Sequence, residues 1–151
     1  MSARTEVRSL TVSETLSLRQ KVLRPFAVPA DCQNPEDADP LGFHLGVFHA
    51  GRLACVGSFH TQSHPELPAG FPFRLRGMAT DEKYRGRGFG GLLLRHGVEV
   101  LRAKRCDLLW FKARIKAFPF YESMGFVYHG DLFEMPRIGP HKVMYKHLNP
   151  R

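Results

Sequence analysis

The chain has 151 residues, a length that suits one domain with enough material for a hydrophobic core. Hydrophobic residues make up 43% of it, which excludes an intrinsically disordered chain, and no apolar run approaches the ~18 residues that span a bilayer. The formal net charge of +8 favours an anionic partner, whether nucleic acid, anionic lipid or a phosphate-rich cofactor.

The first forty residues predict a strand, a helix and an acidic loop. Alternation of strand formers with charged residues indicates a strand over residues 5–8. Thr11 and Glu14 have the spacing of a capping box, and the apolar residues that follow predict a helix ending near Pro25. Residues 29–40 hold three prolines and the acidic residues of the chain's one acidic patch, so we expect a loop there.

The middle of the chain predicts a strand meander. Residues 43–49 and 53–60 are apolar runs separated by Ala50, Gly51 and Arg52, which indicates a hairpin. After a proline-containing loop, residues 73–80 predict a third strand.

The second half of the chain predicts two helices among three strands. A helix is expected over residues 92–104, a strand over 107–113 and a short helix over 119–124. Residues 126–133 and 141–148 look like a closing antiparallel pair. The element order is then β-α-β-β-β-α-β-α-β-β, a mixed α/β (α+β) fold in which helices cover a central sheet, and residues 1–151 are expected to form a single domain.

The cysteines and the N-terminus place the chain in a reducing compartment. Cys32, Cys55 and Cys106 are odd in number and form no CxxC pair, so buried free thiols are expected. The first residues lack the apolar stretch of a signal peptide, and we therefore expect a cytoplasmic protein. No metal is predicted, because His60 and His64 have helical ligand spacing but fall in a proline-containing loop.

A glycine-rich turn separates the third meander strand from the helix at residue 92. Its sequence is Arg85-Gly86-Arg87-Gly88-Phe89-Gly90-Gly91. Such a turn exposes successive backbone N–H groups at a helix N-terminus, where the helix dipole favours an anion. Glycines let the backbone approach an anion closely, and the arginines add cations at the rim. The chemistry indicates a phosphate or pyrophosphate.

Two other interpretations of this turn are weaker. The first is a merely flexible turn, which would need one glycine, whereas this turn has four of them directly before a helix. Gly86-x-Gly88-x-x-Gly91 matches the dinucleotide-binding pattern, yet residues 81–85 separate the strand from the first glycine, and a Rossmann unit turns at once. A Walker A loop is excluded, because no Gly-Lys-Ser/Thr follows.

Two motifs in this order resemble those of the GNAT superfamily of N-acetyltransferases. Arg85-x-x-Gly88-x-Gly90 resembles the family's acetyl-CoA motif, and Phe120-Tyr121-x-x-x-Gly125-Phe126 resembles its later motif on a short helix. The resemblance covers most of the chain from about Gly42 onwards. It implies a mostly antiparallel central sheet flanked by helices. One departure is Lys112, where many relatives have Asn.

The resemblance implies an acetyltransferase that moves an acetyl group from acetyl-CoA to a primary amine by direct attack in a ternary complex. Tyr121 becomes the general acid for the departing thiolate, since a phenol of pKa about 10 can protonate a thiolate whose conjugate acid lies near ~8.5. Main-chain groups of Met78, Ala79 and Thr80 would bind the pantetheine arm. The expected cofactor-binding residues are these three together with Arg85, Gly86, Arg87, Gly88, Phe89, Gly90 and Gly91.

The base and the acceptor remain open at this stage. His141 resembles a position in a hairpin that faces the substrate cleft in one subgroup, and His60, Glu82 or a water chain are further candidates for the base. Arg19 and Arg24 are expected on the first helix, by default on a solvated face.

Two rival functions compete with acetyl transfer. The first is a GNAT-fold protein that binds acyl-CoA as a sensor without turnover, against which Tyr121 argues. The second, a basic nucleic-acid-binding domain, lacks a recognised motif, and neither nucleic acid nor a membrane is expected as a partner. The resemblance leaves a homodimer open.

Overall fold

The computed structural model describes residues 4–150 of the chain. Within them, the strands and α-helices follow the predicted order, and the predicted α/β (α+β) fold is confirmed as a seven-stranded, mostly antiparallel sheet flanked by helices. The seven strands are β1 (Thr5–Leu10), β2 (Phe43–His49), β3 (Arg52–Thr61), β4 (Pro72–Thr80), β5 (Leu108–Arg114), β6 (Val127–Met135) and β7 (Gly139–His147). The three α-helices are α1 (Val12–Leu18), α2 (Phe89–Ala103) and α3 (Phe118–Ser123).

The strand order in the sheet is β1-β2-β3-β4-β5-β7-β6. The pairs β1·β2, β2·β3, β5·β7 and β6·β7 are antiparallel. Strand β4 pairs with β5 in parallel, as expected for two strands joined through a crossover helix, here α2. This ladder runs from Pro72 opposite Leu108 to Arg74 opposite Trp110, so the rest of β4 lies beyond it.

The first helix begins where the sequence predicts, and its α-helical part ends at Leu18, before the predicted end near Pro25. The Thr11 backbone N–H donates to Oε1 of Glu14 at 2.8 Å, which is the carboxylate half of the capping box. A π-helical turn, Arg19–Leu23, extends α1 towards Pro25. The acidic loop that follows contains two short 3₁₀ turns, Pro29–Cys32 and Pro35–Ala38.

One compact unit comprises residues 4–60 and 75–100. Its core includes Phe59 of β3, which stacks on Phe43 of β2 with ring centroids 4.8 Å apart. Gly97 of α2 lies against the same ring, since a Cβ there would stand 2.3 Å from Cζ of Phe59. The absence of a side chain at residue 97 therefore lets the helix pack closely on the sheet.

The other compact unit comprises residues 61–74 and 101–150. Its core is built on β5, where Phe111 contacts Tyr121 and Phe126 with ring centroids 4.2 and 4.9 Å away. The Asp107 carboxylate accepts the backbone N–H groups of Gly70 and Phe71 at 2.7 and 2.9 Å and so holds the loop before β4. The expectation of a single domain stays a prediction.

The three cysteines are free and buried, as predicted. Burial raises the pKa of the Cys55 thiol to about 11, which keeps it protonated and chemically inert. No helix among residues 4–150 has the length and apolar character needed to cross a bilayer.

Candidate active site

The glycine-rich turn is anchored at its entry by Asp81, the residue that follows β4. The Asp81 N–H donates to the carbonyl of Ala54 at 2.8 Å. Its carboxylate accepts the Lys83 N–H at 3.1 Å and the Lys21 ammonium at 3.3 Å. The hydrogen bond from Lys83 is the main cause that holds the pKa of Asp81 below its usual value. The chain therefore leaves the sheet in a defined direction.

The backbone conformation of this turn favours glycine. Gly86 and Gly88 have φ values of 77° and 82°, in the left-handed region that other residues rarely adopt. A Cβ built at either position would meet nothing within 4 Å. The turn thus has a backbone conformation typical of glycine. The space that side chains at residues 86 and 88 would occupy is empty.

Helix α2 starts directly after these glycines and earlier than predicted, at Phe89 in place of residue 92. The Leu92 N–H donates to the carbonyl of Gly88 at 3.0 Å. The N–H groups of Phe89, Gly90 and Gly91 precede it in the first turn, where an α-helix offers no acceptor of its own. These donors and the helix dipole form the kind of end that binds an anion.

Arg87 is held beside the turn by contacts that the sequence did not predict. Its guanidinium lies 5.9 and 5.5 Å from the ring centroids of Tyr84 and Phe89. It also lies 3.1 Å from Nε2 of His49, whose Nδ1 is 2.7 Å from the Thr5 hydroxyl. Since guanidinium only donates, His49 accepts at Nε2 and its ring proton is on Nδ1. His49 ends β2, and no local signal in the sequence could have linked it to the turn.

The predicted pantetheine-binding residues occupy the end of β4. Ala79 is buried, whereas Met78 and Thr80 are half-buried. The Thr80 hydroxyl donates to the Cys55 sulfur at 3.2 Å. All three residues lie beyond the ladder with β5, and they lead through Asp81 into the glycine-rich turn of the same compact unit. The predicted pantetheine-binding segment, residues 78–80, therefore leads directly along the chain into the predicted pyrophosphate-binding turn, residues 85–91.

Arg19 is not on a solvated helical face, and that prediction is wrong. Its side chain is 3% exposed and forms a two-pronged ion pair with Asp37, at 2.7 and 2.9 Å. It also donates to the carbonyl of Cys32 and to the Ser58 hydroxyl, at 3.0 and 2.7 Å. The π-helical turn and the folded acidic loop close around this charge pair. Arg24, in contrast, is exposed as expected.

Tyr121 belongs to the second compact unit and lies on α3. It is 6% exposed, and its ring packs against those of Phe111 and Phe120. The Phe126 N–H donates to the Tyr121 carbonyl at 3.1 Å, and Gly125 between them has a φ of 91°. This is a glycine-based helix end of the Schellman type, as the Tyr-x-x-x-Gly-Phe spacing predicts.

His141 lies in the same unit, on β7, and is 4% exposed. Its Nδ1 is 2.8 Å from the carbonyl of Gly139, so Nδ1–H donates and the lone pair is on Nε2. Burial lowers the pKa of His141, the Gly139 carbonyl partly opposes this, and the positive charges of Arg114 and Lys112 lower it further. The imidazole is therefore neutral at pH 7 and able to accept a proton.

The other candidates for the base are less suitable. Nε2 of His60 accepts a hydrogen bond from Nε of Arg76 at 2.9 Å, so that lone pair is engaged. Glu82 is exposed on a 3₁₀ turn. Lys112, which replaces the Asn of many relatives, is exposed, and its ammonium lies 5.7 Å from the ring centroid of Phe133.

The model of the acetyltransferase (GNAT) family matches residues 11–126, most of the chain, including the glycine-rich turn and the Tyr121 motif. The protein belongs to this family and is an acyltransferase. It is similar to YitI of Bacillus subtilis strain 168, an uncharacterised N-acetyltransferase, with 38% identity over 143 residues, which are 95% of this chain and 96% of YitI.

Solved structures share the fold at low sequence identity. FeeM, an N-acyl amino acid synthase from uncultured soil microbes, superposes with a TM-score of 0.79 at 14% identity, over 97% of this chain and 92% of FeeM. Escherichia coli ElaA has a TM-score of 0.73 at 22% identity, over 95% and 99% of the two chains. The ribosomal-protein-S18-alanine N-acetyltransferase of Escherichia coli has a TM-score of 0.68 at 18% identity, over 98% and 96%.

Proposed function

We propose that the protein transfers an acetyl group from acetyl-CoA to a primary amine of an acceptor, by direct attack while both substrates are bound. The observation that carries this proposal is the open turn before α2. Gly86 and Gly88 leave its face uncovered, and the first N–H groups of the helix point out of an end that favours an anion. Family membership supplies the chemical class, because GNAT enzymes typically take acetyl-CoA as their co-substrate.

The binding residues in this proposal come from two consecutive segments. The backbone of residues 85–91, with the cations of Arg85 and Arg87, would hold the pyrophosphate of acetyl-CoA. Contacts with Tyr84, Phe89 and His49 hold the Arg87 side chain in place before any ligand binds, which reduces the entropy cost of binding. The main-chain groups of Met78, Ala79 and Thr80 would pair with the pantetheine arm, and an N–H there would stabilise the developing oxyanion.

The chemistry needs one base and one acid. The amine must be neutral before its nitrogen attacks the thioester carbonyl, and we assign its proton to Nε2 of His141, which carries a lone pair on a neutral ring. As the C–S bond breaks, the CoA thiolate takes a proton from the phenol of Tyr121. No covalent enzyme intermediate is required, which agrees with three cysteines that are buried.

The first test is calorimetric titration of the purified protein with acetyl-CoA, with CoA in parallel and NAD as a control. We expect saturable binding of both CoA species and none of NAD. Absence of CoA binding would contradict the proposal, and NAD binding would favour the dinucleotide interpretation instead. An amine screen with thiol detection follows. It includes free amino acids and peptides with a free N-terminus, acceptors suggested by the names of two structural relatives.

Tyr121→Phe separates a catalyst from an acyl-CoA sensor. We expect turnover to fall by about 10²-fold or more with acetyl-CoA binding retained, the usual effect of losing a general acid. Tyr128→Phe is the matched control, because Tyr128 is exposed and its hydroxyl binds Glu122 on the surface of the same unit. Equal turnover in the two variants would remove Tyr121 from the mechanism.

A further inference from the structure

Three potential metal ligands converge in the second compact unit, in residues that the proposed acetyl transfer does not use. His64 and Glu66 lie in the loop between β3 and β4, and His129 lies on β6. One ligand atom of each lies within 4.8 Å of the others. Nε2 of His129 is 3.1 Å from Oε1 of Glu66. The sequence spacing relates His64 only to His60 and predicts no metal, whereas the fold brings His64 to His129.

The loop that carries two of these ligands is well anchored. The Leu67 N–H donates to the carbonyl of His64 at 3.2 Å, which closes a tight turn around Glu66. Leu67 is buried in an apolar cluster with Trp110. The ring of His64 stands edge-on to that of Trp110, with centroids 4.9 Å apart. Packing therefore limits the rotamers of His64 and keeps it beside His129, whose ring centroid is 5.3 Å away.

The hydrogen bonds of the three side chains show what a bound ion would displace. The Glu66 N–H lies 3.1 Å from Nδ1 of His64 and donates to it, so the lone pair of the ring is on Nδ1. His129 and Glu66 face each other across a hydrogen bond, so a single proton lies between the two other ligand atoms.

We propose that His64, Glu66 and His129 bind one divalent transition-metal ion, with Zn²⁺ as the best match. Two imidazoles and one carboxylate form a ligand set that zinc accepts, with a fourth position left for water. Two ligands at ~2.0–2.1 Å from a tetrahedral ion are about 3.3 Å apart, close to the 3.1 Å between His129 and Glu66. The ion would replace the proton between His129 and Glu66, and it would displace the hydrogen bond that the Glu66 N–H donates to His64.

The ion would connect the loop between β3 and β4 to strand β6. It would therefore stabilise the folded protein increasingly as the free ion concentration rises above the dissociation constant, because the unfolded chain does not hold the three ligands together. The positive charges of Lys112 and Arg74 near His64 reduce the affinity for a dication. We therefore expect a site that exchanges its ion with chelators.

The test is calorimetric titration of the tag-free, chelator-treated protein with Zn²⁺, together with the absorption spectrum of the Co²⁺ form. We expect one ion per chain, a rise in the melting temperature with Zn²⁺, and visible Co²⁺ bands of four-coordinate intensity. His129→Ala and Glu66→Gln should each weaken Zn²⁺ binding by more than about tenfold and abolish the Co²⁺ bands. His96→Ala, on the exposed face of α2, is the matched histidine control and should change nothing.

Glu66→Gln is not expected to disturb folding, because the Glu66 side chain is 71% exposed and the oxygen of the glutamine amide can still accept a hydrogen bond from His129. A loss of Zn²⁺ binding in this variant would therefore reflect the lost carboxylate. Circular dichroism establishes that both variants are folded. Zn²⁺ binding that is equal in wild type, Glu66→Gln and His96→Ala would overturn the proposal, as would a stoichiometry without a defined site.

Discussion

Two glycine-containing regions of the first compact unit have the same backbone conformation and opposite surroundings. Gly77 in β4 has a φ of 63°, and Gly86 and Gly88 in the turn have 77° and 82°. A Cβ at Gly77 would stand 2.7 Å from Nε of Arg19, whereas at Gly86 or Gly88 it would meet nothing within 4 Å. A positive φ favours glycine in both places. Only the second region leaves room for a ligand.

The cations beside these glycines differ in the same way. Arg19 is buried and ion-paired with Asp37, so its charge already has a partner within the protein. Arg85 and Arg87 are exposed beside open N–H donors at a helix start. An arginine next to a glycine therefore indicates an anion site only where no buried carboxylate already pairs with its charge.

The largest effect is expected at the enclosed region. Arg19→Ala leaves the Asp37 carboxylate buried without its partner, which costs about 3–5 kcal/mol of unfolding free energy. Urea denaturation measures the loss. Arg24→Ala, on the exposed turn that follows, should stay within about 0.5 kcal/mol of wild type. A loss of similar size in both variants would show that Arg19 is not the anchor of the acidic loop.

The pH dependence of stability in Arg19→Ala tests whether the ion pair with Asp37 causes the loss. Burial raises the pKa of Asp37, but hydrogen bonds from Arg19 and the Asn34 N–H outweigh it, and the pKa lies below the ordinary value. In the wild type, the ionised Asp37 therefore contributes fully to the free energy of unfolding above the pKa of an unfolded Asp, about 3.9. This contribution is lost as the pH falls through the lower pKa that Asp37 has in the folded protein.

In Arg19→Ala, burial remains without the guanidinium, so Asp37 takes up a proton at higher pH. The stability gap between wild type and Arg19→Ala should therefore be smaller at pH 4 than at pH 7. Chemical denaturation at both pH values measures it, and a constant gap would contradict the ion-pair explanation.

A smaller effect is expected at the open turn, and there it should appear in ligand binding. Gly88→Ala places a side chain at a left-handed position, where the strain is about 1–2 kcal/mol, and the turn relaxes away from the conformation that presents its N–H groups. We expect acetyl-CoA to bind roughly tenfold more weakly by calorimetry.

Gly51→Ala is the matched control for this strain. Gly51 also has a positive φ, 78°, with nothing within 4 Å of a built Cβ, but it lies in the β2–β3 hairpin turn. It should lose a similar amount of stability and bind acetyl-CoA like wild type. Equal affinity in Gly88→Ala would separate the turn from cofactor binding.

The smallest effect is expected at His49. His49→Ala removes the acceptor that holds Arg87 but leaves its contacts with Tyr84 and Phe89. One hydrogen bond to a charged group contributes about 1.5–3 kcal/mol at most, and less where solvent competes, so a few-fold loss in acetyl-CoA affinity is expected. An unchanged affinity, measured by the same titration, would mean that the Arg87 position does not matter for binding.

Much of the fold was predictable because its signals are local. The capping box at Thr11 and Glu14, the turn at Ala50 and Gly51, and the helix end at Gly125 depend on residues a few positions apart, and all are present. The helix that follows the glycines begins at Phe89, three residues earlier than predicted, because periodicity locates the apolar face of a helix better than its first turn.

By itself, the sequence determined the order of elements and the glycine-rich turn, since propensity, periodicity and glycine conformation are set by near neighbours. The family followed from the resemblance of two short motifs, which the family model confirms. Only the tertiary structure decided that Arg19 is buried against Asp37, that His49 holds Arg87, and that His64 meets His129. Each of these pairs joins residues that strand register and loop packing bring together across the chain. A charge or an imidazole looks the same in sequence whether its partner is water or a distant side chain.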